Sequence, residues 1–235
     1  MGESGGDRWY HRRWETACLR SCCRKVHPVS KQTSHFRIWA LASVLLVVVL
    51  AAGAWFVFLR EEAYAFHGGE LAGDVAPEIA LVDQHGEPFS LESQRGKVVV
   101  LYFGYTYCPD YCPTTMLDMM QVSDALGEDA DRFQPVLVSV DPERDTPERL
   151  AEYLEFYDPG FIGLSGSTDA TIEAQRGYGV MAAKQESSET ERGYLVDHST
   201  SLMAIDPEGN LVLTWPYGTE PAQIAEDIEH LLSNS

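Results

Sequence analysis

Basic residues are scarce over most of this 235-residue chain, and cysteine is scarcer still. Beyond residue 37 there are nine Lys+Arg against 33 Asp+Glu, and only two of the five cysteines. The shortage of cations argues against a nucleic-acid partner, because phosphate binding needs clustered Lys and Arg. So few cysteines cannot staple a domain of this size, which must therefore build a hydrophobic core. There is no internal repeat and no long low-complexity run, and 45% hydrophobic content excludes a disordered chain.

The basic residues are concentrated at one end. Residues 1–37 hold eight of them against three acids, a net charge of +5, so the whole-chain charge of −19 leaves −24 for the remainder. Between the two segments lies Ile38–Leu59, IWALASVLLVVVLAAGAWFVFL, 22 residues without a charge. At about 1.5 Å per residue it reaches roughly 33 Å, enough for a hydrocarbon core of about 30 Å. Trp39 near one end and Trp55 and Phe56 near the other suit the two interfaces. The expectation is one transmembrane helix, with residues 1–37 as a basic cytoplasmic segment and the rest outside the cytoplasm by the positive-inside bias. A cleaved signal peptide is the rival reading, since Ala63-Tyr64-Ala65 has the A-x-A form, but the apolar run exceeds a 7–15-residue h-region. A bacterial inner membrane is favoured. A mitochondrial inner membrane would use the same topology, although the acid-containing, Ser-poor N-terminus makes a weak transit peptide.

Residues 60–76 read as a juxtamembrane linker and 77–235 as one domain, long enough for a single core. Glu78–Val82 and Pro88–Leu91 flank a turn at Asp83–Gly86 and suggest a hairpin. Lys97–Phe103 and Phe133–Val140 are near-continuous apolar runs, as strands buried on both faces are. Helices are expected at Thr114–Leu126, from a Thr146 cap to Tyr157, at Asp169–Tyr178 and at Pro221–Leu232. Shorter strands are expected at Phe161–Leu164, Tyr194–Val196, Ser201–Ile205 and Leu211–Trp215. Strand and helix alternate and a hairpin then precedes the last helix. That order defines an α/β domain with a mixed central sheet flanked by helices, for which the thioredoxin-like fold is the natural candidate.

The two cysteines of this domain, Cys108 and Cys112, lie in YTYCPDYCPTTM, just after the first buried strand and at the opening of a helix. Open α/β sheets place their ligand sites there. A helix N-terminus also lowers a thiol pKa, which favours the thiolate needed for metal binding or redox attack. C-x3-C puts both sulfurs on one helix face, but it departs from the C-x2-C of thioredoxin-type reductants. A purely structural disulfide would close a very short loop and stabilise little. Of the seven histidines, His198 stands apart, in a loop that a thioredoxin-like topology brings to the cysteine loop. Cys108, Cys112 and His198 would then form a Cys2His set. Structural zinc wants four closed ligands, so three with dominant soft sulfur suit copper better, with zinc the alternative.

These segments resemble the SCO/SenC family of membrane-anchored, thioredoxin-like copper-binding proteins. The resemblance rests on GYTYCPDYCPTTM at 104–116, VSVDPERDTPERL at 138–150 and VDHSTSLMAIDPEG at 196–209, and it covers roughly residues 71–232. It implies a copper chaperone that delivers copper to the binuclear copper site of cytochrome c oxidase subunit II, or reduces that subunit's cysteines. Cys108, Cys112 and His198 would be the ligands, for Cu(I), Cu(II) or both. Asp110 and Asp197 are candidates to hydrogen-bond the ligands, and Asp141 and Asp145 read as turn and cap residues. Redox thioredoxins carry a cis-proline where this chain has Ser199-Thr200-Ser201, which fits a metal site better than a disulfide-exchange groove. A thiol–disulfide oxidoreductase using Cys108 and Cys112 is the main alternative, and a thiol peroxidase a weaker one. Cys18, Cys22 and Cys23 near His27 read as free or palmitoylated thiols of the cytoplasmic segment, not as a metal site.

Overall fold

The computed structural model describes residues 33–58, 64–185 and 193–234. Residues 1–32, with Cys18, Cys22, Cys23 and His27, lie outside that range, as does Leu59 at the end of the expected span. The chain divides into two compact units, with the boundary in sequence between Ala63 and Tyr64.

Among the described residues, the first unit contains one helix, α1 (Thr33–Phe58), with exposed apolar side chains. Its His35–Phe56 stretch has a mean hydropathy of 2.4, so it is long and apolar enough to cross a membrane. The helix starts five residues before the expected Ile38, since His35 and Arg37 can extend it outside the apolar stretch.

In the second unit, β1 (Gly69–Val75) precedes β2 (Val98–Gly104), α2 (Tyr111–Leu126), β3 (Phe133–Ser139), α3 (Pro147–Glu155), β4 (Ile162–Leu164) and α4 (Thr168–Gly177). Then follow β5 (Ala182–Lys184), β6 (Val196–His198), β7 (Leu202–Ile205), β8 (Asn210–Trp215) and α5 (Pro221–Ser233). Six strands form a mixed sheet in the order β1-β8-β7-β2-β3-β4, and β5 and β6 form a separate two-stranded sheet. β2 and β3 are parallel from Val98↔Phe133 to Gly104↔Ser139, and every residue of both is buried. Such uniform burial explains why both strands read as continuous apolar runs and not as alternating ones. α2 and α5 pack side by side, and α3 sits so close to β4 that a side chain at Gly163 would strike Leu150 and Leu154.

Capping behaves as the sequence indicates at α3, where the Thr146 hydroxyl accepts from the Arg149 N–H and Pro147 takes the first position. Three expectations need correction. The proposed hairpin at 78–91 is only a bridge between Val82 and Pro88, with Val82 also bridged to Ser165, and the Asp83–Gly86 turn does not open into a ladder. The stretch 60–76 is not all linker, because β1 pairs antiparallel with β8 at the sheet edge. Being exposed along its whole length and containing two glycines, β1 shows none of the alternation that marks a half-buried strand. α2 starts at Tyr111, three residues earlier than expected, which puts Cys112 inside its first turn.

A fully buried acid, Asp227 of α5, fastens the chain ahead of β1 to the domain. It accepts hydrogen bonds from the Tyr64 hydroxyl (2.9 Å), the His67 and Gly68 N–H groups (both 3.0 Å) and the indole N–H of Trp215 (2.8 Å). Asp227→Ala leaves the buried Trp215 indole N–H without an acceptor and releases the part-buried Tyr64, His67 and Gly68 donors to water, so it is expected to cost about 2 kcal/mol, read as a lower denaturant midpoint at an unchanged slope.

Candidate metal centre

The site forms where neighbouring strands end together. β2 runs into Gly104, and the chain then loops through Tyr105–Asp110 before α2 begins. β7 runs antiparallel to β2 with Leu202 opposite Tyr102, so the start of β7 lies at the end of β2 that carries the cysteine loop. β6 ends four residues before Leu202, which hands His198 to the cysteines. His198 is therefore not a loop residue as expected: it is the last residue of β6, paired with Ala182 of β5. β5 was not anticipated, because three residues with two alanines carry no periodic signal. Gly104 is required by close approach, since a Cβ there would lie 2.7 Å from the Tyr102 ring and 3.0 Å from the Cys112 sulfur.

The ligating atoms of Cys108, Cys112 and His198 lie within 4.8 Å of one another, and both cysteines are free thiols. The Cys112 Sγ is 3.6 Å from His198 Nε2. His198 Nδ1 lies 2.8 Å from the Ser199 carbonyl oxygen. A carbonyl can only accept, so Nδ1 carries the proton and Nε2 presents its lone pair to the sulfurs. The Tyr102 and Tyr105 rings stand edge-to-face against the imidazole at 6.0 and 5.7 Å and confine it. Two soft sulfurs and one imidazole nitrogen are a donor set that fits copper.

The two sulfurs differ in character. Cys108 is pulled down to about 4, first by the hydrogen bond from the Cys112 thiol and further by the backbone N–H groups of Asp110 and Cys112. Burial pushes Cys112 up, and it becomes the donor of the pair. The Tyr102 hydroxyl, itself held protonated by burial, donates to Cys112 Sγ at 3.4 Å. Cys112 is fully buried at the back of the site. Cys108 and His198 line an open cleft of about 270 Å³ with Tyr105, Pro109 and Tyr111.

Neither suggested carboxylate supports a ligand. Asp110 is exposed and its side chain caps nothing, so its contribution is its backbone N–H. Asp197 is exposed and accepts from Gln185. The acids that matter are the two read as turn and cap residues. Asp145 is fully buried and accepts from the Thr106 N–H and hydroxyl and from the Ser139 hydroxyl, the last two at 2.7 Å, which pins the cysteine loop to the β3–α3 loop. Burial raises its pKa, and those donors oppose the rise. Asp141 is also buried and accepts from Tyr194 and Arg144. The signal that could have revealed them was two acids in VSVDPERD directly after a near-continuous apolar run, where an acid must find partners inside.

Fold and site together define a thioredoxin-like domain with a half-open, sulfur-dominated candidate metal site at the carboxyl end of its central strand. The SCO1/SenC family profile matches residues 69–233, and the chain belongs to that family. An SCO2-like protein of Rickettsia conorii is 32% identical over 152 residues, which cover 65% of this chain and 74% of the relative. The mitochondrial protein SCO2 of Saccharomyces cerevisiae is 40% identical over 134 residues, covering 56% of this chain and 44% of the relative. The structure of Bradyrhizobium japonicum ScoI with copper bound superposes with a TM-score of 0.61 at 34% identity, covering 67% of this chain and 99% of that one.

Because Cys108 is already a thiolate at neutral pH, binding of one Cu(I) there should release about one proton, from Cys112, against about two for a pair of ordinary thiols. Calorimetry in buffers of different ionisation enthalpy measures this count. Acidification towards pH 4 returns the Cys108 proton and should weaken binding.

Proposed function

We propose that this protein is a membrane-anchored copper chaperone in which Cys108, Cys112 and His198 hold one copper ion and pass it to an extracytoplasmic acceptor. The observation that carries the reading is the gathering of two sulfurs and one imidazole nitrogen within 4.8 Å, from segments that lie 86 residues apart between Cys112 and His198. Copper is cargo here, and three ligands suit cargo: the ion is held, while an incoming thiolate or imidazole still finds a free coordination position. The direction of approach follows from burial. Cys108 and His198 face the cleft and would be exchanged first, whereas Cys112 at the back would let go last.

In this reading residues 1–37 are cytoplasmic, residues 38–59 span a bacterial inner membrane, and the domain works on the far side. Family resemblance supplies the acceptor, the binuclear copper site of cytochrome c oxidase subunit II. The low pKa of Cys108 supports a second activity at the same pair, since a standing thiolate beside a thiol is what disulfide exchange with a protein disulfide requires.

His198→Ala separates the two roles. It should lower copper affinity by more than the roughly 10–100-fold typical of losing a group that merely supports a ligand, while Cys108 and Cys112 still oxidise to a disulfide. Unchanged copper affinity would remove His198 from the ligand set. For the transfer step, copper-loaded full chain in detergent should lose its metal to the copper-free soluble domain of subunit II, and failure of net transfer would argue for the thiol role instead.

A further inference from the structure

His198 is delivered by an element that the main sheet does not hold. β5 and β6 pair with each other and with no strand of the six-stranded sheet, so no ladder of that sheet fixes this strand pair and side-chain contacts set much of its orientation. Tyr194, four residues before His198, carries much of that contact. Its hydroxyl donates to Asp141 at 2.6 Å and reaches Glu143 at 3.5 Å. The Arg144 guanidinium lies over its ring, 3.7 Å from the centroid, and also donates to Asp141. Lys184 of β5 lies 4.7 Å from the same centroid and pairs with Glu143 at 2.6 Å. Between Tyr194 and His198, the Val196 N–H donates to the Tyr105 hydroxyl at 3.1 Å. The β3–α3 loop thus holds both halves of the site, the cysteine loop through Asp145 and the histidine hairpin through Asp141.

We infer that Tyr194 is a positioning residue, a latch that keeps the β5–β6 hairpin where His198 meets the cysteine pair and so controls how fast copper leaves. The inference rests on Cys108, Cys112 and His198 being the copper ligands. A hydroxyl donating to a buried carboxyl group is a strong contact, and the bond is made by one atom that can be deleted without disturbing the ring stacking. With the latch open, only the fraction of molecules that keep His198 in place binds with three ligands, and apparent affinity falls by that fraction.

The test is a double-mutant cycle on the reduced full chain in detergent, loaded with one Cu(I), with release to a competing chelator followed in time. Tyr194→Phe should release copper about five- to tenfold faster than the parent chain. In the His198→Ala background the same change should have no further effect, a signature that general destabilisation would not give. The nitrogen coupling in the Cu(II) spectrum should weaken in Tyr194→Phe, with both thiols still titrating. Parent-like release by Tyr194→Phe overturns the latch while leaving the ligand assignment standing, and so does equal acceleration with and without His198. Parent-like release by His198→Ala alone overturns the ligand assignment, and the latch with it.

Discussion

The antiparallel pairing of β2 with β7 is the constraint on which the rest of the domain depends. β2 is buried along its whole length, so its hydrogen bonds have no competing water and its register cannot slip without exposing apolar surface. With Leu202 held opposite Tyr102, the chain entering β7 must pass the mouth of the cysteine loop. That pairing brings the chain leading into β7 to the cysteine loop, and the contacts of the separate β5–β6 pair then set the His198 imidazole against the Cys112 sulfur. Neither group needs a strong attraction to the other.

A second theme is the use of buried acids in an acidic protein. Most of its carboxylates are solvated, but Asp141, Asp145 and Asp227 are at most 1% exposed. Each collects donors from segments far apart in sequence. Asp227 ties Tyr64–Gly68 and Trp215 to α5, Asp145 ties the cysteine loop to the β3–α3 loop, and Asp141 ties that loop to the hairpin bearing His198. Apolar packing alone tolerates small displacements, whereas hydrogen bonds of fixed length and direction to a buried acceptor do not. Asp141 and Asp145 thereby hold in place the two segments that bring Cys108, Cys112 and His198 together.

Asymmetry between the sulfurs follows from the same architecture. Cys108 sits in a loop open to the cleft and collects the thiol and backbone donors, whereas Cys112 is sealed behind it under Tyr102. One pair of chemically identical side chains thereby becomes a ready thiolate and a reserve thiol. A bound metal ion and a disulfide would draw on the same two sulfurs, so either one would exclude the other.

The apolar span, the charge division around it, the two buried strands, the capped helix at Thr146 and the C-x3-C motif were all legible from residue order, because each rests on local periodicity or on one residue's backbone preference. His198 could be nominated only by assuming a topology. β1 and β5 were invisible, being a wholly exposed edge strand and a three-residue strand whose existence depends on partners distant in sequence. The roles of Asp141 and Asp145 were misread for the same reason: a turn acid and a buried acceptor look alike until the donors around them are known. Sequence by itself determined which chemistry is available, two thiols and an imidazole beyond an apolar span, since side-chain identity and hydropathy are local properties. Only the tertiary structure decided which sulfur is the thiolate, which imidazole nitrogen faces it and which acids hold the ligand segments, because burial and hydrogen bonding come from the assembled neighbours.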